Sequence, residues 1–479
     1  MKRYERYAQE MADLIRAQTL RPGERLPSVR QASISRHISP ATVFAAYYLL
    51  EARGLIQARA RSGYYVLAQR KPAQAEPATA PPREQSSTVA ISDLVFEVLE
   101  STRQVAVVPL GSAFPEPALF PLAKLARGLT PAMRQLAPPR LVEDLTLGNE
   151  RLRRQINLRY HVEGTAVALG EIIITNGAME ALNLCLQAVT QPGDVVAVES
   201  PTFYSALQAL ERLNLRAVEV ATHPRDGVDL NSLAQVLDQH PVKACWFMPN
   251  FQNPMGSLMP DRQKQALVAL LAKRGVPLIE DDVYGELYFG LHRPLPAKAY
   301  DRLGLVMHCS SFSKCLAPGY RVGWVAAGQF AQKVLRLKLM TTLSTAVPSQ
   351  LAISAYLEGG SFERHLRQLR QTLAAQQALA LRVIAAHFPP GTRVTRPEGG
   401  YFLWLELPER LDALQLHRLT LAQHISIAPG HLFSADQRFG HCLRINYGHP
   451  NDARFEEALA TVGRLATGLL AAGQQGDAA

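Results

Sequence analysis

A lysine set among small hydroxyl residues, with an arginine seven positions further on, is the most chemically suggestive part of this chain: Cys309 to Trp324 reads CSSFSKCLAPGYRVGW. An amine is a nucleophile only when unprotonated, and desolvation or a nearby cation lowers its pKa toward neutrality. Lys314 has such a setting, since Leu305, Val306 and Met307 before it read as the end of an apolar strand. Ser311, Ser313 and Arg321 carry donors suited to a phosphate, and Lys314 can form a Schiff base with an aldehyde. A second phosphate-directed signal is Asn176-Gly177-Ala178-Met179-Glu180, which follows the apolar run IIIT and opens a helical pattern. The backbone N–H groups near Ala178 and Met179 would then meet an anion at a helix N-terminus.

These groups need a scaffold that brings strand ends together. Past residue 93 apolar runs alternate with longer helical patterns: IIIT (172–175), VVAV (195–198), RAVEV (216–220), ACWFM (244–248), PLIE (277–280), LVMHC (305–309) and GWVAA (323–327). Short buried strands between helices predict a mostly parallel sheet covered on both faces. Ligands of such sheets lie at the carboxyl ends of the strands. YFLWLEL (401–407) and HCLRINY (441–447) predict a smaller C-terminal α+β subdomain over about 380–479.

The order SxSKxxxPGxRxGW resembles the lysine motif of fold type I aminotransferases, which bind pyridoxal 5'-phosphate (PLP), in the form carried by the MocR-like branch of GntR-type transcriptional regulators. The resemblance implies roles for further residues. Phe203, in Pro201-Thr202-Phe203-Tyr204, matches P-x-[YF] and would lie over the cofactor ring. Asn253, in Asn253-Pro254-Met255-Gly256, matches the NPxG turn whose asparagine hydrogen-bonds the phenolate. In Glu280-Asp281-Asp282-Val283-Tyr284, Asp281 would hold the pyridinium nitrogen and Tyr284 would be the second phenolate donor, with Asp282 the competing choice. Arg444, in LRINY, matches the arginine that grips a substrate α-carboxylate through a bidentate pair. Gly148, Leu152 and Arg153 fit the family's GxxxLR, but the aromatic residue usually found a few positions earlier is missing.

Charge sets the N-terminus apart. Of a formal net charge of +10, residues 1 to 71 carry thirteen Lys/Arg against five Asp/Glu. A basic module joined to a nearly neutral body is what a nucleic-acid-binding head looks like. Tyr4, Tyr7, Ala8, Met11, Leu14 and Ile15 recur at helical spacing. Ser28 and Ser39 are N-caps for two further helices, the second with Pro40 at its first position. LIQARARSGYYV (55–66) then reads as a basic β-wing. LRPGERLPS, the SxxTVxxAYxxLExxGLI pattern and the wing resemble the GntR-type winged helix-turn-helix. That resemblance puts Arg30, Ser39, Thr42 and Gly63 against double-stranded DNA. Pro40 stands where many relatives have an arginine, so affinity is expected to lean on Arg25, Arg59 and Arg61.

The expected architecture is multidomain: a winged helix-turn-helix (1–68), a flexible Pro/Ala-rich linker (69–92), and an α/β fold type I aminotransferase-like domain (93–479). No charged n-region followed by an apolar core marks the N-terminus, and no apolar run approaches the roughly 20 residues of a membrane helix, so a cytoplasmic protein with no membrane partner is expected. Five scattered cysteines without a CxxC pair suggest neither a metal site nor a disulfide framework. The expected function is a PLP-dependent transcriptional regulator, acting as a homodimer, in which an amine or amino-acid effector reacts with PLP on Lys314 and alters DNA binding. The alternatives are an aminotransferase with a secondary DNA-binding head, and a sensor of PLP itself.

Overall fold

A computed structural model describes residues 3–16, 19–20, 23–59, 62–67, 74–82, 85–101, 107–134, 146–449 and 452–476. The chain divides into two compact units, Met1–Gln74 and Ala75–Ala479.

The first unit is a three-helix module with a two-stranded wing. Its helices are α1 (Arg3–Arg16), α2 (Val29–Arg36) and α3 (Pro40–Ala52), followed by antiparallel β1 (Ile56–Arg59) and β2 (Gly63–Val66). Tyr7, Met11 and Ile15 of α1 pack with Val43, Tyr47 and Leu50 of α3 and with Ile56 and Val66 of the wing. Both serine caps form: Ser28 accepts from Gln31 N and Ser39 from Thr42 N, each at 3.2 Å. The Tyr47 hydroxyl donates to Pro27 O at 2.8 Å, tying α3 to the start of α2.

The second unit is built on a mixed sheet. Its strands lie side by side in the order Ser87–Thr88, Arg216–His223, Val195–Ser200, Val242–Phe247, Leu278–Asp281, Val306–Ser311, Gly323–Ala326 and Ile172–Thr175. The five from Arg216–His223 to Val306–Ser311 are parallel, whereas Gly323–Ala326 runs against both its neighbours. The eleven residues between Ser311 and Gly323 are too few for a parallel crossover, which needs a dozen or more. The chain therefore turns straight back, and the turn carries Lys314. Side chains alternate between two separate cores: Val196, Val198, Trp246, Ile279 and Met307 enter one, and Val195, Ala197, Cys245, Phe247, Leu278 and Val306 the other. Both faces of the sheet are thus covered.

A four-stranded antiparallel sheet (Arg393–Val394, Phe402–Glu406, Cys442–Asn446, Ala428–Pro429) with helices Ala413–Ala422 and Ala453–Gly476 forms the smaller C-terminal subdomain. It also recruits a distant piece of chain, because Val108–Pro109 pairs in parallel with Ile425–Ser426. Gly111 follows, and a Cβ there would strike the backbone of Ile427 at 2.6 Å.

The flexible linker expected over 69–92 is corrected from Ala75 onward. Val394 N donates to Ala75 O at 3.0 Å, Arg216 Nη2 to Ser86 O at 2.7 Å, and Ile91 N and Ser92 N both to Glu211 Oε2 at 2.9 Å. Val89 and Ile91 are buried. Backbone hydrogen bonds, two accepted and two donated, and two apolar anchors fasten a segment whose composition alone reads as unstructured; residues 69–73 and 83–84 of the expected linker lie outside the described residues. Among the described residues no helix is long and apolar enough to cross a membrane.

Candidate functional site

A cavity of about 200 Å³ opens at the carboxyl end of the parallel strands, lined by Ala178, Met179, Phe203, Asp281, Tyr284, Ser311, Ser313, Lys314 and Arg321 among others. Nine of the expected site residues therefore share one wall. Helix Ala178–Val189 starts directly at the cavity, with Gly177 as its N-cap at φ +81°. Any side chain at Gly177 would collide with the Arg321 guanidinium. Arg321 itself donates to Ser313 Oγ and to Asn176 O, each at 3.3 Å. Two hydroxyls, an arginine and a helix N-terminus thus converge, which is the donor set an oxyanion needs.

The two adjacent carboxylates part company. Asp282 is saturated: its oxygens accept from Asn250 Nδ2 at 3.1 Å, Arg293 Nη2 at 2.8 Å and His308 Nε2 at 3.0 Å. Burial opposes its ionisation, but Arg293 and His308 outweigh that and hold its pKa at about 2. Behind it, Trp324 Nε1 donates to Tyr160 Oη at 2.9 Å and Tyr160 Oη shares a hydrogen bond of 2.6 Å with His308 Nδ1, while the ring's Nε2, facing the ionised Asp282, donates to it. Asp281 is the reverse. Its Oδ1 is buried without a hydrogen-bond partner, and burial together with the charge of Asp282 pushes its pKa up to about 7. The carboxylate aimed at the cavity is Asp281.

Lys314 is driven the other way. Burial first, then the positive charges of Arg444 and Arg321, lower its pKa to about 7, against the pull of Asp281. Its Nζ donates to Ala113 O at 2.8 Å and sits 3.6 Å from the centre of the Phe114 ring. Arg444 is fully buried; its Nη1 donates to Asn253 Oδ1 at 2.9 Å and its Nη2 to Gly111 O at 2.8 Å. Asn253 Nδ2 is left buried and unpaired. Tyr284 packs edge-on against Tyr401.

Sequence reasoning missed a strap across this cavity, residues 111–114. Besides Lys314 and Arg444, Tyr401 Oη donates to Ala113 O at 3.0 Å, and Asn446 Nδ2 donates to Ser112 O at 3.0 Å and Phe114 O at 2.7 Å. The sequence signal was indirect: Tyr401 opens the apolar run YFLWLEL and Asn446 lies in HCLRINY, the run that holds Arg444. Arg153, assigned to the GxxxLR pattern, is buried and donates to Gly148 O at 3.1 Å and Leu169 O at 3.3 Å, bracing the helix it sits on.

On the first unit, Arg25, Arg30, Ser39 and Arg59 are exposed and Thr42 and Gly63 partly so; Arg61 lies outside the described residues. The Arg59 guanidinium lies 4.3 Å from the Tyr65 ring centre, and the Arg25 side chain runs beside Gly63, where a Cβ would meet its Nε at 3.2 Å. Both arginines therefore flank the wing. Ser39 Oγ and Thr42 Oγ1 share a hydrogen bond of 2.8 Å.

Residues 146–462 match the family model for aminotransferase class I and II, and residues 3–66 that for bacterial regulatory proteins of the gntR family. The chain is 47% identical, over 97% of its length and 99% of the relative's, to YdcR of Escherichia coli K12, described as an uncharacterized HTH-type transcriptional regulator. It is 31% identical to 2-aminoadipate transaminase of Thermus thermophilus over 79% of this chain and 94% of that one. Among solved structures, LysN, the alpha-aminoadipate aminotransferase of Thermus thermophilus complexed with N-(5'-phosphopyridoxyl)-L-leucine, matches with a TM-score of 0.72 at 28% identity, covering 80% of this chain and 100% of that one. A gene-regulatory head on a PLP fold type I aminotransferase body defines the class. The chain belongs to the HTH-type transcriptional regulators in which a GntR-type domain is fused to an aminotransferase class I and II domain, the MocR-like architecture.

Proposed function

We propose that this regulator carries PLP on Lys314 and that an amine or amino-acid effector, reacting there, alters its hold on double-stranded DNA. The observation that supports this most is a matched set of unsatisfied groups: Asp281 Oδ1, an acceptor, and Asn253 Nδ2, a donor, both buried and unpaired beside a lysine of pKa about 7. Buried polar atoms are rarely left without partners, and these two suit a protonated ring nitrogen and a phenolate oxygen. When bound, PLP supplies an aldehyde that condenses with primary amines and a pyridinium ring that withdraws electrons. Asp281, once ionised against that ring, holds the proton on its nitrogen. Ser311, Ser313, Arg321 and the N–H groups at Ala178 and Met179 hold the phosphate, Phe203 covers the ring, and Tyr284 joins Asn253 at the phenolate. Lys314, half unprotonated near neutral pH, presents a nucleophilic Nζ.

Arg444 favours an effector with a carboxylate. Such a ligand must take Arg444 from Gly111 O, and PLP held on Lys314 takes that lysine from Ala113 O, so cofactor and carboxylate each compete with the strap at one point. A ligand shifts an equilibrium only by its preference for one arrangement, and a strap that leaves when the ligand enters provides such a preference. Exposed Leu339, Met340 and Leu343 support a homodimer, since clustered apolar surface marks contact sites.

The test is a combined gel-shift and absorbance titration of the purified protein on its own upstream DNA, with and without PLP, against a panel of amino acids. A spectral change accompanied by altered DNA affinity, without turnover, is expected. Sustained keto-acid production would favour the second reading, a working aminotransferase, which the likeness to a transaminase along most of the large unit supports. DNA affinity that follows PLP with no amine present would make PLP the signal.

A further inference from the structure

The solvent face of α3 lacks the side chains that ordinarily distinguish bases by hydrogen bonding. No charged residue occurs between Pro40 and Leu50. Val43, Ala46, Tyr47 and Leu50 are buried, and the opposite face presents Pro40, Ala41 and Phe44, all exposed, with Phe44 at 54%. The two hydroxyls at the helix start are turned on one another: Ser39 Oγ accepts the Thr42 N–H at 3.2 Å and bonds Thr42 Oγ1 at 2.8 Å. Guanine is read by an Arg or Lys and adenine by an Asn or Gln, whereas the thymine C5-methyl is the apolar group on a major-groove edge, met by Ala, Phe or a Thr methyl. The head that carries this face is basic, with Arg25, Arg30 and Arg59 exposed. An apolar helix face on a cationic module complements a groove that carries methyl groups between phosphates.

We infer that α3 selects its DNA through thymine methyl groups, with Phe44, flanked by Ala41, as the specificity-determining side chain. This rests on the reading of the head as a DNA-binding module. Arginines position the duplex through its phosphates, and Phe44 ranks sequences by how many methyls they bring against its ring.

The experiment begins with full-length protein selecting from a random-sequence duplex pool. The enriched duplex is then synthesised with thymidine or with deoxyuridine, which differ by that methyl alone. Each contacted methyl lost should weaken wild-type binding about fourfold, the fold-change for one buried methyl or methylene group. Phe44→Ala should bind both duplexes alike, at the affinity wild type shows for the uracil form, while Phe44→Leu should keep part of the preference. The steepness of binding against salt, a phosphate property, should be the same in all three proteins and verifies that the head is folded. Equal wild-type affinity for the two duplexes, or a preference that survives Phe44→Ala, overturns the inference. A pool that enriches no sequence removes both the inference and the reading of the head as a sequence reader, a result distinct from equal binding of an enriched duplex.

Discussion

The two units hold charge in opposite ways. In the large unit Asp282, Glu286, Arg159, Arg293 and Arg370 are packed inside, with Arg293 paired at once to Glu163, Asp282 and Glu286. In the head Arg25, Arg30 and Arg59 stand in solvent on a module of few acids. Buried charge is fixed in position, hardly screened, and sets the protonation of its neighbours; exposed charge acts at a distance and fades with salt. One arrangement suits the placing of protons around a small molecule, the other the attraction of a polyanion.

The sharpest way to break the contrast is at Lys314. Lys314→Ala supplied with PLP should lose all visible absorbance of lysine-bound cofactor, and a variant that stays yellow would refute the assignment. Next comes the buried network. Arg293→Ala leaves Glu163, Asp282 and Glu286 short of a cation, and stripping one partner from a buried pair costs about 3–5 kcal/mol. All three tryptophans, Trp246, Trp324 and Trp404, lie in the large unit, so urea unfolding followed by their fluorescence reports on it; a loss below about 1 kcal/mol would mean the network behaves like surface charge.

A smaller effect concerns pH. With its pKa lowered to about 7, Lys314 is protonated below that value and unprotonated above it. The rate at which apoprotein captures PLP should therefore rise about tenfold from pH 6 to pH 8 and then level off, whereas an unshifted lysine would give about a hundredfold rise with no levelling. Stopped-flow absorbance distinguishes the two. The mildest test lies on the head: Arg30→Ala should reduce the slope of log affinity against log salt by about 1, uniformly across sequences. An unchanged slope would place Arg30 away from the phosphates.

Much of this was legible in the sequence because it follows periodicity. The seven apolar runs became strands, the serines capped their helices, and the residues at strand ends gathered around one cavity. What escaped has physical reasons. Asp281 and Asp282 are neighbours at a strand end, where successive side chains point to opposite faces; the resemblance ranked Asp281 first and left Asp282 competing, and what residue type could not show is that Arg293 and His308 converge on Asp282. The strap at 111–114 is held through its carbonyl oxygens, which every residue type possesses and no composition reveals. The same holds for Ala75 and Ser86, while Val89 and Ile91 are too sparse an apolar signal to stand out among prolines and alanines.

The strap has two separately removable fasteners, and on the proposed reading they answer to different molecules. PLP condensed with Lys314 would take that lysine from Ala113, whereas a ligand carboxylate would take Arg444 from Gly111. A simple amine can condense with the cofactor yet has nothing to offer Arg444, which would keep its grip on Gly111. Release of the whole latch would then need cofactor and carboxylate together, a logical AND, and ligands without the carboxylate would occupy the pocket as silent competitors.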